Sequence, residues 1–242
     1  MPLKKNSGKT NMYPWISHTH SMLAGACGHA CSYCYVQAMS KKFPEMSKRY
    51  SGEIRLISEE LSVDYGKGKT IFIEHCNDLF ANDVPANLIT PILAHCREYP
   101  DNTYVFQTKN PIRIIDFLWA FPPKYMVGAT IETNRHFPKI MGTAPTPETR
   151  YMALRGLPRT ARLFITIEPI LTLDPAILAG WIKELHPEFV NIGADSKGHG
   201  LVEPPPEDIK ELVRLLTKED PKIEIKEKHN LVRLMNGQTF DE

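Results

Sequence analysis

The sequence predicts an α/β protein built around a parallel sheet, and three observations support this fold class. Short apolar runs rich in β-branched and aromatic residues alternate with stretches of helical periodicity. The strand runs are apolar almost throughout, as in sheets that are covered on both faces. This pairing of a strand with a following helix recurs roughly six or seven times in one chain, which favours a barrel or partial barrel over the main competitor, an open doubly wound sheet.

Each predicted strand is a short apolar run bounded by polar or turn residues. The first clear one covers residues 70–73, and its sequence Thr-Ile-Phe-Ile is typical of a buried strand. Comparable runs predict the later strands at 103–106, 125–131, 163–167, 189–192 and 223–225.

Each predicted helix shows apolar residues three and four positions apart. In the first of them, at 85–98, Ile89, Ile92 and Cys96 share one face, so Cys96 is expected to be a core residue. The same periodicity predicts the later helices at 112–120, 147–157, 175–185 and 206–217. The last of these opens with Pro-Glu-Asp, as the amino terminus of a helix does.

Composition and charge exclude several classes of protein. The chain has 242 residues, 42% hydrophobic and 24% charged, which is ordinary for a soluble globular protein. No apolar run approaches the length of a membrane span, and the start of the chain does not resemble a secretion signal, so we expect a cytoplasmic protein without membrane attachment. The net charge of +1 gives no global attraction to polyanions, although a nucleic acid remains possible as a substrate.

Polar residues follow every predicted strand, at the carboxyl ends where such folds bind ligands. The candidates at these positions are Asn77, Asp78, Lys109, Glu132, Asn134, Glu168, Asp195, Ser196 and Lys226. Cys76 lies in the same region, after strand 70–73. Polar residues resume after any strand, so each one alone is equally a solvated or loop-capping group. Together they predict a site for a polar ligand.

Three of the five cysteines, Cys27, Cys31 and Cys34, lie within eight residues of one another. In a reducing compartment this clustering indicates a metal site or a reactive thiol, and not a disulfide. Three thiolates on a four-iron–four-sulfur cube would leave one iron open to a small molecule. A zinc site that adds His29 or His20 to the three thiolates is the alternative.

This segment resembles the signature of the radical S-adenosylmethionine (radical SAM) superfamily, Cys-x3-Cys-x-aromatic-Cys. Cys27, Cys31, Tyr33 and Cys34 match it at each defined position. Segments 77–80, 107–110, 128–132 and 166–169 are similar to those of a compact, phage-associated branch of the superfamily, and the order of segments matches over about residues 12–228.

The resemblance implies a fold, two cofactors and a reaction. The fold would be a partial (β/α)6 barrel of the TIM type, in a single domain over residues 1–242 with an ordered core over about 12–235. A 4Fe-4S cluster on the three cysteines would bind S-adenosylmethionine (SAM) and cleave it reductively to a 5′-deoxyadenosyl radical, which abstracts hydrogen from a substrate. A reductant protein such as flavodoxin or ferredoxin would be a partner, and a phage-encoded chain would work in the host cytoplasm.

The resemblance also implies roles for the polar residues. The Gly-Gly-Glu-like stretch that commonly holds the SAM amino group is replaced here by a sequence that begins Glu74-His75-Cys76, which departs from the superfamily pattern. The expected cofactor contacts are Asn77 or Asp78 to the amino group, Lys109 to the carboxylate, Glu132 or Asn134 to the ribose, Tyr33 to the adenine and Glu168 to adenosine or substrate. Asp195, Ser196 and Lys226 would lie nearer the substrate.

Cys76 is a candidate catalytic residue because it follows a strand at the expected site. It would return a hydrogen atom to a substrate radical, a role that a cysteine has in a member of the superfamily. A buried, inert thiol is the alternative.

The sequence leaves the substrate open. A modified nucleic-acid base or nucleotide is the first hypothesis, consistent with the phage-like resemblance. Tailoring of a peptide or a small metabolite is the second. A non-catalytic iron–sulfur or zinc protein that only binds a partner is a third, from a different functional class.

Overall fold

The computed structural model describes residues 3–8, 12–218 and 223–238. The chain forms two compact units. The first unit contains Met1–Ala30 and Cys34–Val127, and the second unit contains Cys31–Tyr33 and Gly128–Glu242. The single domain over residues 1–242 stays a prediction.

The first unit contains short strands near the start of the chain and longer parallel strands after them. Its strands are β1 (Lys4–Lys5), β2 (His18–His20), β3 (Leu23–Ala24), β4 (Arg55–Leu56), β5 (Thr70–Ile73) and β6 (Thr103–Thr108). Its helices are α1 (Tyr35–Ser40), α2 (Pro44–Arg49), α3 (Ala86–Glu98) and α4 (Ile112–Ile115), with 3₁₀ turns at Ser58–Ser62 and Leu118–Ala120. β7 (Tyr125–Thr130) begins in this unit and ends in the second.

Parallel pairing in the first unit brings the carboxyl ends of three strands to one level. β2 pairs with β5, where His20 is opposite Ile73, and β5 pairs with β6, where Ile73 is opposite Phe106. β1 adds an antiparallel edge to β2, and β3 and β4 form a separate antiparallel pair. The segments that follow β2, β5 and β6 therefore leave the sheet on the same side.

The second unit repeats the strand–helix alternation. Its strands are β8 (Arg162–Ile167), β9 (Phe189–Ile192) and β10 (Glu224–Glu227). Its helices are α5 (Pro138–Met141), α6 (Pro147–Arg155), α7 (Pro175–Leu185), α8 (Pro206–Lys218) and α9 (Leu231–Met235). β9 pairs in parallel with β8 and with β10, so that Ile167, Ile192 and Glu227 lie at one level.

The predicted fold class is confirmed, because central strands in each unit are buried on both faces. Tyr104, Val105 and Phe106 are successive residues of β6 and are all inaccessible to solvent, as are Ile165 and Ile167 of β8. Helices cover such strands in α/β proteins. Cys96 is fully buried on α3, which confirms the expectation that it is a core residue.

The structure differs from the predicted elements mainly where they are short. The helix predicted at 112–120 is interrupted, because the Asp116 carbonyl accepts from Trp119 Nε1 at 3.0 Å while the Ala120 N–H turns to the Phe117 carbonyl at 2.8 Å. β6 continues to Thr108, two residues beyond its predicted end. The two- and three-residue strands β1 to β4 were not predicted, because such lengths are too short to show a period of two. In the part of the chain that the structure describes, no helix has the length and apolar character needed to span a bilayer.

Candidate active site

The cysteine segment lies between β3 and α1, and its cysteines divide between the two units. Cys27 and Cys34, both half-buried, belong to the first unit, and Cys31, which is buried, belongs to the second. All five cysteines lie in described parts of the chain, and none of them forms a disulfide. The chain leaves β3 at Gly25 with φ +98°, where a Cβ would lie 2.2 Å from the Glu53 carbonyl oxygen, so this course requires glycine.

In the first unit, Asp78 connects the cysteine segment to the ends of two strands. Its Oδ2 accepts from His29 Nε2 at 2.8 Å and from the Lys109 backbone N–H at 2.7 Å, and its Oδ1 accepts from the Phe80 N–H at 3.0 Å. Burial alone would raise the pKa of this carboxyl, but the interactions with His29 and the backbone donors lower it to about 2. Asp78 is therefore ionised at neutral pH and positions His29, two residues from Cys27.

The surroundings of Cys27 keep its thiol protonated. Burial, reinforced by the Asp78 carboxylate, raises the pKa of Cys27 to about 12. A metal would have to displace this proton, because the thiolate is the form that binds metals. Asn77 is buried beside the same segment, and its Nδ2 donates to the Gly25 carbonyl oxygen at 3.4 Å.

Cys76 follows β5 and lies in a buried cluster with Tyr50, against which Cys34 packs. The Tyr35 hydroxyl donates to the His75 carbonyl oxygen at 2.6 Å and lies 3.6 Å from Cys76 Sγ. Burial raises the pKa of Cys76, so its sulfur carries a hydrogen at neutral pH. The thiol thus has a phenolic hydroxyl within contact distance.

Glu74, the first residue after β5, is a buried carboxyl with a left-handed backbone (φ +58°). Its Oε1 accepts from the backbone N–H groups of Met22 at 2.5 Å and Leu23 at 3.0 Å, which joins the end of β5 to the segment between β2 and β3. Its Oε2 has no hydrogen-bond partner among the described residues. Burial raises the pKa of Glu74 to about 7, although these two bonds act in the opposite direction.

In the second unit, Glu132 and Arg150 form an ion pair that solvent does not reach. Arg150 Nη1 donates to Glu132 Oε2 at 2.6 Å and to the Thr130 carbonyl oxygen at 2.9 Å, and its Nε donates to the Pro145 carbonyl oxygen at 2.7 Å. The other carboxylate oxygen of Glu132 accepts from the Tyr33 hydroxyl. The pair therefore fixes the position of a residue that lies between Cys31 and Cys34 in the sequence.

A further polar group lies at the carboxyl ends of β8, β9 and β10, also in the second unit. Glu168 Oε2 pairs with Lys228 Nζ at 2.7 Å, and both side chains are mostly buried. A Cβ on Gly193 would lie 2.9 Å from Glu168 Oε1, so the glycine leaves room for this carboxylate. Asn230 Nδ2 donates to the Ala194 carbonyl oxygen at 2.7 Å, and the next residue, Asp195, is buried.

Comparisons with known proteins identify a family and a fold. The family model described as "Protein of unknown function (DUF5131)" matches residues 10–185. The chain belongs to the DUF5131 family. A search of curated proteins finds no match.

The fold of this DUF5131 protein resembles that of spore photoproduct lyase. A structure of that lyase with bound AdoMet and dinucleoside spore photoproduct matches with a TM-score of 0.61 at 13% identity, over 89% of this chain and 78% of that chain. Another variant of the lyase matches with a TM-score of 0.63 at 12% identity, over 92% and 80% of the two chains. At this identity the likeness shows the fold.

The DUF5131 chain brings several of the sequence-predicted residues together within each unit. Asn77, Asp78 and the Lys109 backbone lie about the Cys27 segment in the first unit. In the second unit, Tyr33 bonds to Glu132. Glu168 and the chain around Asp195 lie at the ends of neighbouring strands.

Three other predicted residues lie apart from these groups. Asn134 Oδ1 accepts from the Asp174 N–H at 2.7 Å, at the start of α7. Lys226 Nζ pairs with Glu224 at 3.3 Å and lies 3.6 Å from the ring centroid of Phe189, the first residue of β9. Ser196 is exposed in the loop after Asp195. Their roles toward cofactor or substrate stay predictions.

The sequence analysis did not single out Arg150 or His199. It noted Glu74 as the first polar residue after a buried strand but assigned it no role. Arg150 lies on an amphipathic helix, where an arginine normally faces solvent, and only tertiary contacts reveal its buried partner. His199 follows Asp195 by four residues in a loop without periodicity.

Proposed function

We propose that this protein is a radical SAM enzyme that acts on a modified nucleobase or nucleotide. The observation that carries the proposal is the cysteine segment, in which three thiols outside any disulfide have the spacing of the superfamily signature and an aromatic residue, Tyr33, precedes the third. The fold supports it, since spore photoproduct lyase, which it resembles, is a radical SAM enzyme.

The donor set of this segment fits a 4Fe-4S cluster. Thiolates are the usual ligands of such clusters, and three of them leave one iron without a protein ligand. Among the residues described, no three Cys, His, Asp or Glu side chains converge as the ligands of a single metal ion do. In a 4Fe-4S cluster each thiolate would bind a different iron atom, so the three side chains need not converge on one metal ion. Cys27, Cys31 and Cys34 are the proposed ligands.

When bound, the cluster and SAM would supply a 5′-deoxyadenosyl radical that can remove a hydrogen atom from a substrate. The residues of the chain would hold and orient these groups. In the first unit, Asn77 and Lys109 are the proposed contacts to the methionine part of SAM, and Asp78 positions His29. In the second unit, Tyr33 is the proposed contact to adenine, held through its hydroxyl by Glu132.

Cys76 is the proposed hydrogen donor to a substrate radical. Its buried thiol carries a hydrogen and lies 3.6 Å from the Tyr35 hydroxyl. We expect Cys76→Ala to keep forming 5′-deoxyadenosine while losing turnover to the final product. Cys96→Ala, which removes a buried thiol from α3, is the matched control. Unchanged product from Cys76→Ala would remove this residue from the mechanism.

A nucleotide substrate is proposed because the similar lyase was solved with a dinucleoside spore photoproduct. The alternative is a radical SAM enzyme that acts on a peptide or a small metabolite. A reductant protein such as flavodoxin or ferredoxin is the proposed electron donor, and a cytoplasmic location, in a phage host if phage-encoded, is proposed with it.

Anaerobic reconstitution tests the proposal. We expect about four irons and four sulfides per chain and, under dithionite, conversion of SAM to methionine and 5′-deoxyadenosine that DNA or nucleotides stimulate. Cys31→Ala should lose both the iron and the reaction, whereas Cys96→Ala should retain them. Stoichiometric zinc without iron, or a loaded cluster that never cleaves SAM, would overturn the proposal. Stimulation by peptides alone would be consistent with the radical chemistry but would overturn the proposal that the substrate is a nucleotide.

A further inference from the structure

Asp195, at the carboxyl end of β9, holds the imidazole of His199. Its Oδ1 accepts from His199 Nδ1 at 2.7 Å and from the Lys197 backbone N–H at 3.0 Å, and its Oδ2 accepts from the His199 backbone N–H at 2.5 Å. The Asp195 side chain is 2% exposed. The ring of His199 is therefore held in one orientation by a buried carboxylate.

This arrangement determines which ring nitrogen faces outward. Because Asp195 accepts from Nδ1, that nitrogen carries the proton, and in the neutral ring Nε2 keeps its lone pair. The His199 side chain is 17% exposed, and Nε2 makes no hydrogen bond to another described residue. A carboxylate behind an imidazole strengthens its outer nitrogen as a hydrogen-bond acceptor.

A second acceptor near the end of β9 also lacks a partner. Asn230 Nδ2 donates to the Ala194 carbonyl oxygen at 2.7 Å, which fixes the orientation of the amide. Asn230 Oδ1 is then buried with no hydrogen-bond partner among the described residues. A buried acceptor without a partner is costly, so this atom is suited to a donor supplied by a ligand. The two acceptors are anchored on adjacent residues, Ala194 and Asp195.

Two mostly buried cations near the end of β9 are already paired with carboxylates, whereas Lys197, in the loop between Asp195 and His199, is exposed. Lys228 Nζ pairs with Glu168 at 2.7 Å, and Arg233 Nη2 pairs with Glu203 at 2.6 Å. Glu203 Oε1 also accepts from the Asp195 N–H at 3.1 Å, which joins this pair to the end of β9. The paired cations attract an anion weakly and solvent screens the charge of the exposed Lys197, so the two acceptors suit a neutral ligand that donates hydrogen bonds better than they suit a phosphate.

We propose that His199 and Asn230 form a recognition site for a nucleobase, with His199 Nε2 and Asn230 Oδ1 accepting from its ring and exocyclic N–H groups. The choice of a nucleobase, among ligands that donate N–H groups, rests on the proposed function. Asp195 is a positioning residue that acts through His199.

Nuclear magnetic resonance of the full chain, labelled with ¹⁵N in its histidines, tests this site. The four deoxynucleoside 5′-monophosphates are titrated in turn, with inorganic phosphate and deoxyribose 5-phosphate as probes that lack a base. We expect at least one nucleotide to shift the Nε2 resonance of His199 saturably, and neither phosphate probe to do so. His199→Gln should weaken the binding of that nucleotide about tenfold, which is the effect of one good hydrogen bond. His136→Gln, which changes an exposed histidine, should leave the binding unchanged.

The variant Asp195→Asn tests whether Asp195 positions His199, because the loss of a purely structural residue would not change the tautomer of the imidazole. We expect the ¹⁵N resonances of His199 to change from the Nδ1–H form toward a mixture of tautomers. No shift of His199 with any nucleotide, or equal shifts with the phosphate probes, would overturn the proposal. The titration needs no variant and no cluster, so its result is separate from that of the reconstitution. A chain that cleaves SAM but shows no nucleotide effect at His199 would overturn this site alone.

Discussion

At the residue scale, Arg150 and Glu132 form a pair in which each charge depends on the other. Both side chains are 0% exposed, and the guanidinium makes two further bonds to carbonyl oxygens. Removing one partner from a buried pair leaves a charge that neither water nor protein compensates. Removing either partner should therefore destabilise the second unit more than breaking an exposed pair does.

Arg150→Met should lower the free energy of unfolding by about 3–5 kcal/mol, because it leaves the Glu132 carboxylate buried and unpaired. Arg155→Ala is the matched control on the same helix. Its partner Glu184 is 47% exposed, so we expect a loss within about 1 kcal/mol. Urea unfolding measures both variants, and similar losses from the two would contradict the argument.

Glu74 makes the stability of the protein depend on pH. Its folded pKa of about 7 lies above the value of 4.5 expected for an unfolded chain. Between these values the unfolded chain loses the proton that the folded chain retains, so stability falls as the pH rises from about 4.5 to 7 and then stays low. The size of this effect is about 3 kcal/mol.

Glu74→Gln keeps an acceptor for Met22 and Leu23 and removes the titration. We expect the variant to gain stability over the parent at pH 8 and to lose that gain near pH 4. Urea unfolding across this range measures the difference. Parallel pH profiles for the two proteins would show that Glu74 titrates normally.

At the scale of elements, the turn out of β3 decides the course of the cysteine segment. Gly25 has a left-handed φ, and a Cβ there would meet the backbone of Glu53, which cannot move as a side chain can. The adjoining hydrogen bonds, Gly25 N–H to the Arg49 carbonyl and Ala26 N–H to the Gly52 carbonyl, hold the same turn. The turn is therefore tied to the chain that follows α2.

Gly25→Ala should cost more stability than Gly52→Ala. Both glycines have a positive φ, so each substitution carries the strain of that conformation, about 1–2 kcal/mol. Only at Gly25 is there also a clash, since nothing lies within 4 Å of a Cβ at Gly52. Thermal and urea unfolding of the two variants give the comparison, and equal losses would mean that the turn shifts freely.

The longer elements were predictable because their periodicity is strong. The strands at 70–73 and 189–192 and the helix at 175–185 have the predicted bounds. The prediction of one continuous helix at 112–120 was wrong, because the indole N–H of Trp119 bonds to the Asp116 carbonyl oxygen that a continuing helix would use. Such a competition between a side chain and the backbone has no periodic signal in the sequence.

At the scale of the whole molecule, the charges of the chain nearly cancel. There are 29 basic and 28 acidic residues, so affinity for a nucleic acid has to come from local contacts and not from a general field. Non-specific binding of proteins to DNA depends on neutralising many phosphates at once. Non-specific binding of this nearly neutral protein to duplex DNA should therefore be weak.

Unmodified duplex DNA should bind weakly, with a Kd of about 10⁻⁴ M or higher at physiological salt. Fluorescence anisotropy with a labelled duplex measures this, and the same titration at low salt serves as the control for residual electrostatic attraction. Micromolar binding at physiological salt would reveal a basic surface that the net charge conceals.

The sequence by itself determined the fold class, the buried strands and the three clustered thiols, because periodicity and spacing are properties of neighbours along the chain. The tertiary structure decided which polar residues meet. Two sets of contacts join residues that are 18 to 52 positions apart in the sequence. They are the Arg150–Glu132 pair and the hydrogen bonds of Glu74 to Met22 and Leu23. His199 is only four positions from Asp195, yet its loop has no period to reveal the pairing. Such contacts depend on packing and on the level at which parallel strands end, which one linear sequence does not specify.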